Sequence, residues 1–135
     1  MNTHPVPTAF LLDIGNTRIK ATPARTPFSV STVAHGQLQP LWQHLREAAP
    51  QQLYIAAGRS AAAQTSLTTI QHFARQQQLH ITLLRVRPDW LALNYTDPTQ
   101  FGIDRFLHLL AAQARYGQDF CVVSAGTAIT LDFFT

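Results

Sequence analysis

The sequence predicts an α/β fold built on a sheet of mixed direction. Three strand-like segments come first, and helical and strand-like segments alternate after them, giving the order βββαβαβα followed by ββ. Consecutive strands favour antiparallel neighbours, whereas the later alternation is typical of parallel crossovers. The chain has 135 residues, 46% apolar and 13% charged, which favours a packed domain over disorder.

The first three strands are predicted from short apolar or β-branched runs. Residues 9–14 form the first strand, and Gly15-Asn16 is a dipeptide typical of hairpin turns. Residues 17–22 then form the returning strand and residues 28–34 the third. We expect these strands to form an antiparallel meander.

Apolar residues at helical spacing predict three helices further along the chain. The first covers residues 38–49 and ends at Pro50, and Ser60 is the expected N-cap of the second. The third begins near Ile103 and ends at Gly117. The remaining strands are expected at residues 53–57, 81–86, 120–124 and 129–134.

Composition and charge argue against several classes of protein. The formal charge is +3, but the basic residues are scattered, which favours an ordinary soluble surface over nucleic-acid binding. The chain has no signal-peptide pattern and no apolar run of membrane-spanning length, so we expect a cytoplasmic protein without a membrane partner. Cys121 lies in an apolar run and is expected to be buried, and the six histidines show no metal-ligand spacing.

Two segments of the chain resemble each other. Residues 12–17 and residues 123–127 both read as a strand, a polar residue, a small turn and a threonine. This near-repeat predicts two related domains. We expect a first domain at residues 1–118 and the truncated start of a second at residues 119–135.

The segment from Asp13 to Lys20 is a candidate phosphate-binding turn. Glycine at position 15 allows close approach of the backbone and would supply a positive φ, and turn N–H groups can bind an anion. Asp13 can bind Mg²⁺ directly or through water, and Thr17 adds a hydroxyl. The alternative is an ordinary hairpin turn whose Asp and Asn are chosen for their backbone preferences.

The segment Gly102-Ile103-Asp104-Arg105 opens the third helix. An aspartate in the first helical turn is favoured by the helix dipole, so simple helix-start chemistry is one interpretation. The other makes Asp104 the base that accepts a proton from a substrate hydroxyl, a role that phosphoryl transfer tolerates from a weak base. Arg105 could bind a carboxylate in fork geometry.

A second phosphate-type turn is predicted at Gly126-Thr127. Thr127 is the expected ATP contact of this turn. Asp132, five residues further on, can be read as a strand-end residue only.

These motifs together resemble the acetate and sugar kinase/heat-shock chaperone/actin superfamily, and specifically type III pantothenate kinases. The resemblance rests on Asp-x-Gly-Asn-Thr-x-x-Lys at 13–20, on Tyr, Pro and Gly-x-Asp-Arg at 95–105, and on Gly-Thr-Ala-x-Thr-x-Asp at 126–132. It implies a ribonuclease H-like (actin-like ATPase) fold, ATP-dependent phosphorylation of pantothenate to 4'-phosphopantothenate in coenzyme A biosynthesis, Mg²⁺ and a homodimer.

The resemblance also implies roles for individual residues, with Asp104 as the catalytic proton acceptor. The residues implied to bind the phosphates of ATP are Asp13, Ile14, Gly15, Asn16, Thr17, Arg18, Ile19, Lys20 and Thr127. The residues implied to bind pantothenate are Tyr95, Gly102, Ile103, Asp104 and Arg105.

The chain departs from the family pattern at Ser124. Many members carry an aspartate there that binds a monovalent cation (K⁺ or NH₄⁺), and serine offers only a neutral oxygen.

With serine at position 124, the chain also resembles relatives known as Bvg accessory factors, which are linked to transcriptional control. A non-catalytic regulatory protein of the same fold, binding nucleotide or a partner, is therefore the alternative. A chaperone-like or cell-shape ATPase is a third possible function, which fits the small first domain less well.

We expect the 135-residue chain by itself not to phosphorylate pantothenate.

Overall fold

The computed structural model describes residues 8–27 and 29–135, which form two compact units. The first unit extends to Leu84, and the second runs from Arg85 to Thr135. The third predicted helix therefore packs within the second unit, with the two last strands. The domain boundary predicted between residues 118 and 119 stays a prediction.

The first unit is a five-stranded mixed sheet with two helices. The elements are β1 (Ala9–Ile14), β2 (Arg18–Pro23), β3 (Ser31–Ala34), α1 (Gln39–Ala48), β4 (Gln52–Ala57), α2 (Ala61–Gln76) and β5 (His80–Leu83). Strand β1 is central, β2 pairs with it in antiparallel and β4 in parallel, so the strand order is β3-β2-β1-β4-β5. The predicted meander and mixed sheet are confirmed. Phe28, predicted to start β3, lies outside the described residues.

Alternation along the strands gives the sheet one buried face. Phe10, Leu12 and Ile14 of β1 are buried, whereas Leu11 and Asp13 between them are exposed. Both helices cover the buried face, and the Trp42 ring of α1 stacks on the Phe73 ring of α2 with centroids 4.3 Å apart. The other face at Asp13 stays open to solvent.

Local chemistry sets the ends of the helices as predicted. The Ser60 hydroxyl accepts a hydrogen bond from the Ala63 amide at 3.1 Å, which caps α2. Helix α1 ends at Ala48, the C-cap Ala49 has a left-handed φ of 44°, and Pro50 prevents continuation of the helix. The strand expected at residues 81–86 is shorter, because pairing with β4 ends at Leu83.

The second unit packs one helix against a two-stranded antiparallel sheet. It contains a short 3-10 turn (Pro98–Gln100), α3 (Ile103–Tyr116), β6 (Phe120–Ala125) and β7 (Ile129–Phe134). Its core is apolar and includes Leu91, Phe101, Phe106, Leu109, Phe120, Val122 and Phe134. No helix in the described part of the chain is long and apolar enough to cross a membrane.

The outward face of the β6–β7 sheet is apolar and exposed. Val123 and Leu131 are directly paired there, and Phe133 is 77% exposed. Cys121 pairs with Phe133 on this face and is exposed, so the prediction that Cys121 is buried was wrong. The reason is strand alternation: only every second side chain of β6 points toward α3.

We expect this face to make the chain self-associate, since exposed apolar patches of this kind mark interaction surfaces. Replacing both Leu131 and Phe133 by serine should keep the chain monomeric, as followed by sedimentation velocity over a concentration series. Tyr116→Ser removes an aromatic of α3 that is 67% exposed, and it serves as the control. Unchanged association of the double variant would contradict the assignment.

Candidate phosphate and substrate sites

Residues 15–17 connect β1 to β2 in a tight turn that closes on Arg18, the first residue of β2. The Gly15 amide donates to the Arg18 carbonyl at 3.0 Å, and Ile14 pairs with Ile19 at the base of the turn. The prediction of a positive φ at Gly15 was wrong. Among the described glycines, only Gly36 and Gly117 have a positive φ. Space is tight at position 15, since a Cβ there would lie 3.2 Å from the Arg18 carbonyl oxygen.

Asp13 and Lys20 are directly opposite each other beside this turn. They are a cross-strand pair of β1 and β2, and both side chains are exposed. Residues directly opposite share one face of the sheet, so a carboxylate and an ammonium group stand together near the turn. One exposed carboxylate fits Mg²⁺, which usually keeps several waters and needs only one or two protein carboxylates.

Gly58 and His35, which sequence analysis did not assign to the site, contact the turn, and Ser66 in turn bonds to His35. The Gly58 amide donates to the Ile14 carbonyl at 2.8 Å, and a Cβ on Gly58 would lie 2.8 Å from Asn16 Oδ1. His35 bridges the Gly15 carbonyl and the Ser66 hydroxyl. The glycine after β4 was a visible signal, but the contacts of His35 are 20 and 31 residues away in sequence and leave no local pattern.

Asp104 lies in the first turn of α3 and is exposed. Gly102 is the N-cap residue and contributes no side-chain hydrogen bond. A Cβ on Gly102 would lie 2.8 Å from Asp104 Oδ1, so the carboxylate folds back over the start of the helix. Glycine at 102 thus leaves the space that this carboxylate occupies.

Arg105 is engaged by a carboxylate of the same unit. Its Nε donates to Asp132 Oδ2 at 2.9 Å, and its Nη2 donates to Asp132 Oδ1. Asp132 is 8% exposed, so it is a buried ion-pair partner rather than only a strand-end residue. The bond to Asp132 keeps the pKa of Arg105 above its usual value. The fork geometry predicted for a substrate carboxylate is occupied by Asp132 in this structure, and the substrate role of Arg105 stays a prediction.

Two aromatic rings flank Arg105. The guanidinium carbon lies 4.6 Å from the centroid of the Phe101 ring, and the Tyr95 ring meets Phe101 edge-on at 5.0 Å. Tyr95 is 44% exposed and also interacts with Arg105, which raises the pKa of the guanidinium after the larger effect of Asp132. Tyr95 and Arg105, assigned together from the sequence, are therefore neighbours.

The second turn joins β6 to β7 through three residues. The Gly126 amide donates to the Ala128 carbonyl at 3.0 Å, which places Thr127 at the exposed tip. Behind the tip, the Ser124 hydroxyl is 2.7 Å from Nδ1 of His108. Thr130 is paired with Ser124, and its buried hydroxyl is without a hydrogen-bond partner among the described residues.

The candidate functional residues thus fall into two groups, one in each unit. The first contains Asp13, Lys20 and the turn between them, and the second contains Tyr95, Asp104, Arg105, Ser124 and Thr127. The described residues include no group of three or more His, Cys, Asp or Glu that could bind a metal ion. A metal bound by one carboxylate and water is the case that Asp13 fits.

Comparison with known proteins identifies relatives over nearly the whole chain. The chain is 31% identical over 137 residues to a type III pantothenate kinase from Dichelobacter nodosus, which covers 90% of this chain and 52% of the relative. It is 31% identical over 125 residues to a type III pantothenate kinase from Stenotrophomonas maltophilia (91% and 51% covered). A third, from Acinetobacter baylyi, is 30% identical over 130 residues (90% and 52% covered).

The chain spans about half the length of these curated relatives. A family model described as type III pantothenate kinase matches residues 9–135, which include both turns and the start of α3. Because that match covers almost every described residue, the chain belongs to the type III pantothenate kinase family.

Proposed function

We propose that the chain carries the phosphate turn and the hydroxyl-activating carboxylate of a pantothenate kinase. The reaction is transfer of the γ-phosphoryl group of ATP to pantothenate, giving 4'-phosphopantothenate, the first step of coenzyme A biosynthesis. The observation that carries the proposal is the tight turn at residues 15–18, with Asp13 and Lys20 paired beside it. Membership of the family supports it independently.

In the first unit, the turn binds the phosphates of ATP through backbone N–H groups and the Thr17 hydroxyl. Lys20 adds positive charge on the same face as Asp13, which offsets phosphate charge. Asp13 would bind Mg²⁺ directly or through water, and the ion, when bound, neutralises charge on the phosphates. The Gly15 amide takes no part, since its proton is used within the turn.

In the second unit, Asp104 accepts the proton of the pantothenate hydroxyl. As that proton moves to the carboxylate, the hydroxyl oxygen forms a bond to the γ-phosphorus, and the bond from this phosphorus to the bridging oxygen of ADP breaks. Exposure of Asp104 leaves its carboxylate accessible to such a hydroxyl. Positioning matters more than base strength here, because the transition state of phosphoryl transfer is loose.

The finer assignments of fold and assembly belong to the same proposal. The strand order β3-β2-β1-β4-β5, in which only β2 runs against the other strands, supports a ribonuclease H-like (actin-like ATPase) first domain. A homodimer and a cytoplasmic location stay predictions, as do the substrate contacts of Gly102, Ile103 and Thr127.

A non-catalytic regulatory protein of this fold is the second candidate. The observation that favours it is the internal pairing of Arg105 with Asp132, which occupies the group predicted to bind pantothenate. The two candidates differ in turnover. The full-length gene product that contains this chain would be assayed for pantothenate-dependent ADP release with coupled enzymes. Pantothenate-dependent ADP release supports the kinase, and nucleotide binding without turnover supports the regulatory protein.

We predict that Asp104→Asn lowers kcat by about 10²–10⁴-fold, the usual contribution of a positioned base. Its thermal stability and ATP affinity should stay near those of the wild type, because the side chain is exposed. Asp89→Asn, another exposed aspartate of the second unit, is the matched control and should keep full turnover. Near-wild-type turnover of Asp104→Asn in the full-length gene product would remove Asp104 from the role of base.

We predict that Gly15→Val and Asp13→Asn each abolish the use of ATP. The valine side chain would branch where even a Cβ lies 3.2 Å from the Arg18 carbonyl oxygen, which distorts the turn. Asparagine removes the charge facing Mg²⁺, which should cost roughly 100-fold or more in kcat/KM. Glu47→Gln, an exposed acid on α1, is the control. Wild-type kcat/KM for ATP in both variants would exclude the phosphate turn.

We predict that activation by monovalent cations is weak or absent. The Ser124 hydroxyl is neutral and already bonded to His108, so it lacks the Coulomb attraction of a carboxylate. Turnover would be titrated with KCl against an inert cation at constant ionic strength, and Ser124→Asp should increase the response. A steep K⁺ requirement in the wild type would contradict this prediction.

A further inference from the structure

His35 connects the phosphate turn to the hydrophobic core of the first unit. The residue follows β3, and its Nε2 lies 2.9 Å from the Gly15 carbonyl oxygen. Its Nδ1 lies 2.8 Å from the Ser66 hydroxyl oxygen. Ser66 is on the buried side of α2 and only 4% exposed, so this end of the bridge is anchored in the packed helix layer.

The two hydrogen bonds require a particular arrangement of protons on the ring. A carbonyl oxygen only accepts, so His35 Nε2 must carry a proton and donate to Gly15. In the neutral ring Nδ1 is then the acceptor, and the Ser66 hydroxyl donates to it. The order of donors therefore runs from Ser66 through His35 to the turn.

The bond to the Gly15 carbonyl also orients the next amide. The carbonyl of Gly15 and the N–H of Asn16 belong to one planar peptide group, and no cis peptide bond occurs in the described residues. In a trans peptide the two point in opposite directions. Fixing the Gly15 carbonyl on His35 thus aims the Asn16 N–H away from His35 and α2.

We propose that His35 is a positioning residue for ATP, holding the Gly15–Asn16 peptide so that the Asn16 N–H is presented to a phosphate oxygen. This inference rests on the proposed function of the turn. His35 itself does not touch the nucleotide. It removes the freedom of the peptide to rotate before binding, which lowers the ordering cost of the complex.

Two amide substitutions of His35 separate its two bonds. Glutamine places its amide nitrogen near the position of Nε2 and keeps a donor for Gly15, whereas asparagine reaches only the position of Nδ1 and Ser66. In the full-length gene product we expect His35→Asn to raise KM for ATP about 5- to 10-fold, the effect of losing one hydrogen bond. We expect His35→Gln to stay within about twofold of the wild type, since it keeps that bond.

Further measurements exclude a merely structural role. KM for pantothenate should be unchanged in both variants, because the turn serves ATP. Ser66→Ala, which leaves the Gly15 bond but removes its anchor, should give a smaller rise in KM for ATP than His35→Asn. The exposed His72 of α2 supplies the control, and His72→Asn should match the wild type. Equal KM values for ATP in His35→Asn and His35→Gln would overturn the proposal.

A measurement on the 135-residue chain tests the bridge without any activity. The ¹⁵N shifts of the His35 ring at pH 8 report which nitrogen carries a proton, and we expect a protonated Nε2. A bare Nε2 cannot donate to Gly15 and would overturn the inference whatever the protein does. A protonated Nε2 together with no use of ATP by the wild-type full-length gene product would instead refute the proposed function, and with it the phosphate role of His35.

Discussion

The structure of the first unit depends on the double pairing of β1. This strand is hydrogen-bonded on one side to β2 in antiparallel and on the other to β4 in parallel. The turn after Ile14 therefore leaves the sheet between two paired strands, and Gly58, directly after β4, donates to the Ile14 carbonyl at the base of the turn. Asp13 is exposed beside this turn only because the alternating residues on either side of it, Leu12 and Ile14, are buried under the helices.

Much of this fold could be predicted from the sequence, because the signals that set it are local. The Ser60 cap and the stop at Pro50 each act within a few residues, and the structure has them where they were expected. The errors share a different cause. Cys121 is exposed because strand alternation turns it away from α3, and which face of β6 is covered by α3 depends on packing that an apolar run does not reveal. The length of β5 depends on where its pairing with β4 ends.

The candidate site was predictable to a smaller extent, for the same reason. Motifs place Asp13 and Asp104 at element ends, which is a local statement. The bridge of His35 to Ser66 and the ion pair of Arg105 with Asp132 join residues 31 and 27 positions apart. A buried carboxylate needs a partner, since its desolvation is costly. That requirement explains why the guanidinium of Arg105, which the motif alone assigned to a substrate carboxylate, donates to Asp132 instead.

The turns at Gly15 and Gly126 look alike in sequence, but the described residues constrain the backbone of the first more than that of the second. At the first, a Cβ on Gly15 would press on the Arg18 carbonyl oxygen at 3.2 Å, and Gly58 and His35 fix the turn from two sides. At the second, the nearest atom to a Cβ on Gly126 is 4.0 Å away, and the sheet face beside it is exposed at Ile129. Backbone donors bind an anion strongly only when their directions are set in advance. Within the described chain, the first turn is therefore the more constrained of the two, and the glycine of the second is not explained by local crowding.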